Sequence, residues 1–167
     1  LKRADIPTPK NYKEAMRSDY KKYWQAAVLK EIKNLEDHQV HTWVYAPPDA
    51  HLITGTWAWK VKCDNKGAPS QFRARCVAQG FKQLYGIDYV SVMAPVGKLT
   101  TFRQLLAEAA ERGMEYQFLD SSAAYLMAGL DIKQFMKAPP GFVPPEPGMV
   151  MRLDRGLYGL RQAGRGF

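Results

Sequence analysis

Two segments of alternating side chains, joined by a turn-forming stretch, constrain the fold of this chain more than any other feature. Residues 56–63 and 71–79 alternate apolar and polar side chains, as a half-buried β-strand does. The linking sequence Asp64-Asn65-Lys66-Gly67 supplies the residue types of a hairpin loop. The two segments are therefore predicted to form a β-hairpin.

The alternation gives the predicted hairpin one apolar face and one basic face. The basic face takes Lys60 and Lys62 from the first strand, and Arg73 and Arg75 fall together on one face of the second. The opposite faces are apolar, with Trp57, Trp59 and Val61 on the first strand and Phe72, Ala74 and Cys76 on the second. The sequence does not fix the register, so no cross-strand pair is assigned.

Helical periodicity predicts two longer helices. The first begins after Ser18 as a capping residue and runs to about Asp37. Its apolar face is predicted to contain Tyr20, Tyr23, Trp24, Ala27, Val28, Ile32 and Leu35. The second helix runs from a Thr100 cap to Arg112 and ends at Gly113, with an apolar stripe of Phe102, Leu105, Leu106, Ala109 and Ala110.

The remaining predicted elements are short. Strands are expected at 42–46, 114–119 and 149–153, and a short helix is expected to end at about residue 128. Residues 1–11, which include two prolines, are interpreted as a linker that precedes a domain at 12–167. The resulting fold class is α+β, with antiparallel strands and packed helices.

The charge distribution favours a polyanionic partner. The 167 residues carry a net charge of +8. Six basic residues and one acid lie between Trp57 and Gln83, and four arginines and one acid lie between Val150 and Phe167. Two cysteines are too few for a disulfide framework and favour a reducing compartment. No apolar run reaches the roughly 18 residues of a membrane span.

One carboxylate stands out as a candidate metal ligand. Asp120 ends the apolar stretch 114–119, and Tyr125 follows five positions later. An acid at the end of a strand with an aromatic nearby suits nucleotidyl transfer, where a divalent metal is held beside a sugar pocket. From the residues alone, other interpretations remain: Asp120 as a helix cap, Tyr125 as a core aromatic, and Arg73 and Arg75 as a solvated face.

Landmarks along most of the chain resemble those of the reverse transcriptases of copia-type long-terminal-repeat retrotransposons. The resemblance runs from about Tyr12 to Phe167 and keeps the family's order and spacing. It rests on Thr42-Trp43, 57–62, 73–81, Gly86-Ile87-Asp88-Tyr89, Ala94-Pro95-Val96, Arg103, Asp120, Ala124-Tyr125-Leu126, Pro139-Pro140-Gly141-Phe142 and Leu157-Tyr158-Gly159-Leu160.

The resemblance implies a right-hand polymerase, with fingers at about 12–98, a partial palm at about 99–167 and no thumb. Asp120, helped by the backbone of Ser121, would hold the Mg2+ ions that activate the primer 3′-hydroxyl. Tyr125 would pack under the sugar and reject a 2′-hydroxyl. Arg75 would contact the triphosphate, with the guanidinium fork suited to phosphate oxygens. Lys62, Lys66 and Arg73 would assist, and Gln162 would lie near the incoming nucleotide or template.

The family's pattern is not matched everywhere. Ser121 stands where the family has Val, Cys76 where it has Leu, Gly164 where it has Pro and Phe167 where it has Trp. The Tyr-x-Asp-Asp hairpin that carries further metal ligands is also absent from this sequence. We therefore expect these 167 residues alone not to polymerise, although the complete enzyme would.

Three functions are weighed. The first is the N-terminal portion of an RNA-directed DNA polymerase, whose partners would be an RNA template, a DNA primer, a deoxynucleoside triphosphate and the rest of the Pol polyprotein, with no membrane. The second is a non-catalytic nucleic-acid-binding relic of a retrotransposon. The third is a protein-interaction scaffold. The resemblance alone implies the location, a cytoplasmic virus-like particle with product delivered to the nucleus.

Overall fold

A five-stranded mixed sheet with one long helix packed against it organises the molecule. The structure, a computed structural model, describes residues 6–94, 97–117, 119 and 123–165. The helices are α1 (Tyr12–Ala15), α2 (Lys21–Asp37), α3 (Leu99–Glu111) and α4 (Ala124–Met127). The strands are β1 (His41–Val44), β2 (Leu52–Cys63), β3 (Pro69–Ala78), β4 (Gly129–Lys137) and β5 (Val150–Arg155).

The predicted hairpin is confirmed, and the structure supplies its register. β2 and β3 pair antiparallel, and Trp57 lies opposite Cys76 while Val61 lies opposite Phe72. Directly opposed residues point to the same side of a sheet, so the two predicted apolar faces form one surface. That surface packs against α2 and contributes Trp57, Ala74 and Cys76 to the main core.

The sheet runs in the order β1-β5-β4-β2-β3, so strands distant in sequence become neighbours. The prediction of antiparallel strands is wrong for one pairing, because β2 and β4 run parallel, with Ile53 opposite Met136. β4 itself has no counterpart among the predicted elements. The sheet joins strands from both sides of residue 98, the predicted limit of the fingers.

Helix α2 packs on the hairpin as its periodicity predicts. Trp24 is fully buried, and its ring meets Trp59 at 5.4 Å and Phe72 at 4.7 Å, both edge-on. Edge-to-face contacts of this kind suit the quadrupoles of the rings. The predicted Ser18 cap is wrong: the helix begins after Tyr20, because the Ser18 hydroxyl donates to the Ala15 carbonyl at the end of α1.

Helix α3 forms as predicted, but it buries no side chain against the described residues. Thr100 lies inside it rather than capping it, since the N-cap is Lys98, while Gly113 ends it with a φ of +63°. None of its residues is buried, and Leu105 is 60% exposed. The apolar stripe is therefore present but uncovered by the described residues.

The predicted strand at 114–119 is wrong for the residues described there. Residues 114–117 and 119 adopt no strand, and Leu119 is 93% exposed. A strand needs a neighbour for its backbone N–H and C=O groups, and none of the described strands extends beside this stretch.

The predicted linker is partly anchored. Ile6 is buried in a small cluster with Ala15, Trp24 and Val61, and the Asn11 side chain caps α1 by accepting from the backbone N–H of Glu14. Within the described residues, no helix has the length and apolar character to cross a membrane.

Candidate nucleic-acid interface

The register of the hairpin brings the four predicted cations of its basic face together. Lys60 lies directly opposite Arg73, Lys62 opposite Gln71, and Arg75 opposite Ala58. Lys60, Lys62 and Arg75 are exposed, and Arg73 is half-buried. Since opposed residues share a side of the sheet, all four side chains lie on the face away from α2.

None of these cations forms an ion pair with an acid among the described residues. Within the described part of the chain, none of the four lies within 4.0 Å of a carboxylate oxygen. Like charges directly opposite each other destabilise a sheet, by roughly 0.2–1 kcal/mol. The pairing of Lys60 with Arg73 therefore costs stability in the folded protein.

The hairpin turn presents a further cation. The Asp64 carboxylate accepts hydrogen bonds from the backbone N–H groups of Lys66 (2.9 Å) and Ala68 (2.8 Å). Gly67 takes a φ of +78°, which glycine adopts without strain. This turn holds the backbone and leaves the Lys66 side chain exposed at the tip.

A buried carboxylate lies beneath the two arginines. Glu31 of α2 is 9% exposed and accepts a hydrogen bond from the backbone N–H of Cys76 at 3.3 Å. Burial raises the pKa of Glu31, and the backbone bond and the charges of Arg75 and Arg73 only partly oppose that rise. Folding therefore disfavours the charged form of this carboxylate relative to the unfolded chain.

Arg75 and Tyr125, both predicted to contact the nucleotide, are brought together through a third residue. The Arg75 guanidinium lies over the Tyr158 ring, 5.0 Å from its centroid, in cation–π geometry. The Tyr158 ring meets the Tyr125 ring edge-on at 5.8 Å and 86°. Tyr125 is 41% exposed, so it is not a buried core aromatic.

The position of Tyr158 is fixed by close backbone approach. The backbone N–H of Ala78, at the end of β3, donates to the Tyr158 carbonyl at 2.8 Å. Gly159 has a φ of +88°, and a Cβ there would lie 2.2 Å from the Ala78 carbonyl oxygen. Only glycine fits, so the turn after Leu157 is pressed against the strand that carries Arg75.

Gln162 is placed inside the protein rather than on its surface. It is 8% exposed, its side-chain oxygen accepts from Gln83 at 3.0 Å, and its nitrogen donates to the Asp88 carbonyl at 3.2 Å. Both ends of the amide are therefore engaged within the chain. Its predicted place near the nucleotide stays a prediction.

The predicted metal ligands Asp120 and Ser121 lie outside the described residues. Within the ranges that the structure describes, no three His, Cys, Asp or Glu side chains come together as a metal site. The described residues alone thus do not fit a Mg2+ ion, and no catalytic step is derived through one.

Three residues that organise this region were not assigned a role by the sequence: Tyr158, Gln83 and Gln134. Tyr158 lies in the motif Leu157-Tyr158-Gly159-Leu160, which is part of the family resemblance but does not indicate what the tyrosine does. Gln83 and Gln134 are 4% and 1% exposed. A single glutamine carries no pattern that signals burial, so the sequence offered no means to find them.

A separate open cavity of about 540 Å³ lies beside β1 and β5, away from the predicted site residues. Its lining includes His41 and Asp154. Burial lowers the pKa of His41. Burial raises the pKa of Asp154, but hydrogen bonds from Thr42, Arg152 and Lys133 lower it by more, so the pKa lies below its usual value.

The sequence that forms this sheet and hairpin belongs to a known class of protein. Residues 38–167 match the family model described as "Reverse transcriptase (RNA-dependent DNA polymerase)", so the chain belongs to that family. The resemblance to copia-type reverse transcriptases found in the sequence is thereby confirmed.

The similar proteins are plant retrotransposon polyproteins. The chain is 32% identical over 163 residues to the "Retrovirus-related Pol polyprotein from transposon TNT 1-94" of Nicotiana tabacum, which covers 97% of this chain and 12% of that protein. It is 35% identical to the polyprotein from transposon RE2 of Arabidopsis thaliana, over 94% of this chain and 11% of that protein. For transposon RE1 of the same plant the identity is 37%, over 85% and 10%.

The chain therefore spans about a tenth of the length of these relatives and corresponds to a segment of the reverse transcriptase region of a Pol polyprotein. No solved structure matches it.

Proposed function

We propose that this chain provides the template- and nucleotide-binding part of an RNA-directed DNA polymerase encoded by a retrotransposon. In this proposal residues 12–98 are the fingers and 99–167 a part of the palm. The partners are an RNA template, a DNA primer, a deoxynucleoside triphosphate and the other domains of the Pol polyprotein. The observation that carries the proposal is the basic face of the hairpin, whose four cations lie side by side and form no ion pair within 4.0 Å among the described residues.

The basic face suits phosphate in two ways. Lys60, Lys62 and Arg73 form a compact cationic surface that can follow a nucleic-acid backbone. Arg75 presents a planar fork whose five donors match phosphate oxygens, and the Tyr158 ring stabilises that fork from one side. We assign Arg75 to the triphosphate, with Tyr125 at its sugar and Lys66 reaching in from the tip of the turn.

Catalysis in this proposal depends on Asp120 and the backbone of Ser121, which would hold Mg2+ together with carboxylates from elsewhere in the polyprotein. When bound, the metal supplies activation of the primer 3′-hydroxyl and charge neutralisation at the phosphates. The described residues bind and orient; they do not by themselves supply the metal site.

The test compares two variants of equal charge. The first replaces Lys60, Lys62, Arg73 and Arg75 by Gln; the control replaces Lys21, Lys22, Lys30 and Lys33, which are exposed on α2, by Gln. Affinity for an RNA–DNA template–primer is measured from about 50 to 200 mM salt. Each phosphate contact contributes a slope of about −0.7 to −0.9 to log affinity against log salt.

Three of the four substituted cations are assigned to the nucleic-acid backbone, so the proposal expects the first variant to lose about 2–3 from the magnitude of the slope and the control to lose less than about 1. Equal losses would mean that only the net charge matters, and the proposal would be rejected. Binding without any primer extension by the intact polyprotein region would favour the non-catalytic nucleic-acid-binding alternative.

A further inference from the structure

Three buried glutamine side chains link the segments that surround Tyr158. They are Gln83 in the 79–89 loop, Gln134 in β4 and Gln162 in the 157–163 turn. Exposures of 4%, 1% and 8% place all three in the interior. Burying an amide costs free energy unless its donors and acceptor have hydrogen-bond partners, so a partner is expected for each of these groups.

Gln83 is the centre of this network. Its side-chain nitrogen donates to the side-chain oxygens of Gln134 (3.1 Å) and Gln162 (3.0 Å). Its own oxygen accepts from the backbone N–H of Arg161 at 2.9 Å. Both amide hydrogens and the carbonyl are therefore used, and loss of this one side chain would leave two buried side-chain oxygens and the part-buried backbone N–H of Arg161 without their bonds.

The other two amides close the network on the 79–89 loop. Gln134 and Gln162 both donate to the backbone carbonyl of Asp88, at 2.7 and 3.2 Å. The Asp88 carboxylate in turn accepts from the backbone N–H of Leu84 at 2.7 Å and contacts His51 Nδ1 at 2.7 Å. Hydrogen bonds therefore hold the loop at Gln83 and Leu84 in its middle and at Asp88 near its end.

The network extends to the turn that carries Tyr158. The Arg161 guanidinium donates to the Gly80 carbonyl at 3.0 Å, and a Cβ on Gly80 would lie 2.1 Å from the Gly159 carbonyl oxygen. The loop and the turn therefore touch directly beside Tyr158. Any shift of the 157–163 turn moves the ring on which the Arg75 guanidinium rests.

We propose that Gln83 and Gln134 are positioning residues of the nucleotide site, acting through Tyr158 on the guanidinium of Arg75. The expected effect on affinity for a triphosphate rests on the function proposed above. The structural part of the proposal, the placement of Arg75 over Tyr158, stands independently. Neither glutamine is expected to touch the nucleotide.

The first measurement is the NMR signal of the Arg75 Nε–H in the folded chain. Because the guanidinium lies over the Tyr158 ring, the ring is expected to shift this signal, which is identified by its loss in Arg75→Lys. In Gln83→Met, a side chain of similar length without hydrogen bonds, the signal is expected to lose the ring shift. In Gln25→Met, an exposed position on α2, it is expected to stay.

The second measurement is the affinity for dTTP in a double-mutant cycle. Gln83→Met is expected to weaken binding about tenfold in the wild-type chain, but less than twofold when Tyr158→Leu is already present. A loss that is equal in both backgrounds would mean that Gln83 does not act through Tyr158, and would overturn the proposal.

A near-isosteric variant covers the case in which Gln83→Met does not fold. Gln134→Glu keeps the acceptor for Gln83 and loses the donor to the Asp88 carbonyl, so it too is expected to shift the Arg75 signal. A cooperatively folded Gln83→Met or Gln134→Glu chain with the wild-type Arg75 signal would refute the positioning role. Absence of dTTP binding by the wild-type chain would reject the nucleotide role of Arg75 instead, and the NMR result would still decide the positioning.

Discussion

Replacing Arg73 by Gln is expected to stabilise the folded protein and to weaken its binding to nucleic acid. Arg73 lies directly opposite Lys60 in the hairpin, and neither is paired with a carboxylate among the described residues. Removing one charge of a directly opposed like pair relieves roughly 0.2–1 kcal/mol. The weak attraction between Arg73 and the buried Glu31 offsets part of the gain, so about 0.5 kcal/mol is expected.

The assay is thermal unfolding at low salt together with template–primer binding across a salt series. For a chain of this size a gain of about 0.5 kcal/mol corresponds to a rise of about 1–2 °C in the unfolding midpoint. Because the Lys60–Arg73 repulsion is exposed to solvent, the gain should shrink as salt rises. Binding should lose about 0.7–0.9 from the magnitude of its salt slope, the share of one phosphate contact.

Two controls separate charge from packing. Arg73→Lys keeps the charge and should keep both the repulsion and the salt slope. In a double-mutant cycle with Lys60→Gln, the second substitution should add little stability once the first is made. Loss of stability in Arg73→Gln at low salt, or an unchanged slope, would refute the view that this face is strained by like charges and relieved by phosphate.

Three further predictions concern other residues. Glu31→Gln keeps an acceptor for the Cys76 N–H and removes a buried carboxylate whose pKa is raised by burial. A raised carboxyl pKa means that stability is lost as pH rises from the unfolded pKa through the folded pKa. Glu31→Gln should therefore unfold at a higher temperature than wild type at pH 7, and the difference should vanish below the usual carboxyl pKa. A difference that persists in acid would point to packing instead. Gly159→Ala should destabilise by more than about 2 kcal/mol in urea unfolding, because its Cβ would meet the Ala78 carbonyl at 2.2 Å and its φ is +88°. Gly97→Ala, with no atom within 4 Å of the new Cβ, should stay within about 0.5 kcal/mol, and similar effects at the two sites would contradict the steric argument. Asp120→Asn in the intact polyprotein region should abolish Mg2+-dependent primer extension while template affinity changes less than about twofold; retained extension would exclude Asp120 as a metal ligand.

Local patterns account for the elements that the sequence predicts well. The hairpin follows from period-two alternation and the Asp64-to-Gly67 turn, and α2 follows from apolar residues at helical spacing. Helix ends were less predictable. The Ser18 hydroxyl has a competing acceptor in the Ala15 carbonyl, which no rule based on residue type at a single position can anticipate.

The strand that the sequence did not predict, β4, was hidden by a buried polar residue. Leu130, Ile132 and Met136 alternate inward as a strand requires, but the inward position between them is Gln134, which is 1% exposed. Besides a long 3.4 Å bond to the Ile132 carbonyl, its side chain is satisfied by partners 46 and 51 residues away in sequence, Asp88 and Gln83. The pattern was therefore broken by a contact that only the fold creates.

By itself, the sequence determined the basic and apolar faces of the hairpin, the helix on which the apolar face packs, and the family to which the chain belongs. The tertiary structure alone decided that Lys60 opposes Arg73, that β2 runs parallel to β4, and that Arg75 rests on Tyr158. The physical reason is the range of the interactions. Periodicity and turn chemistry act between near neighbours along the chain, whereas register, strand order and buried amide pairing depend on which distant segments pack together.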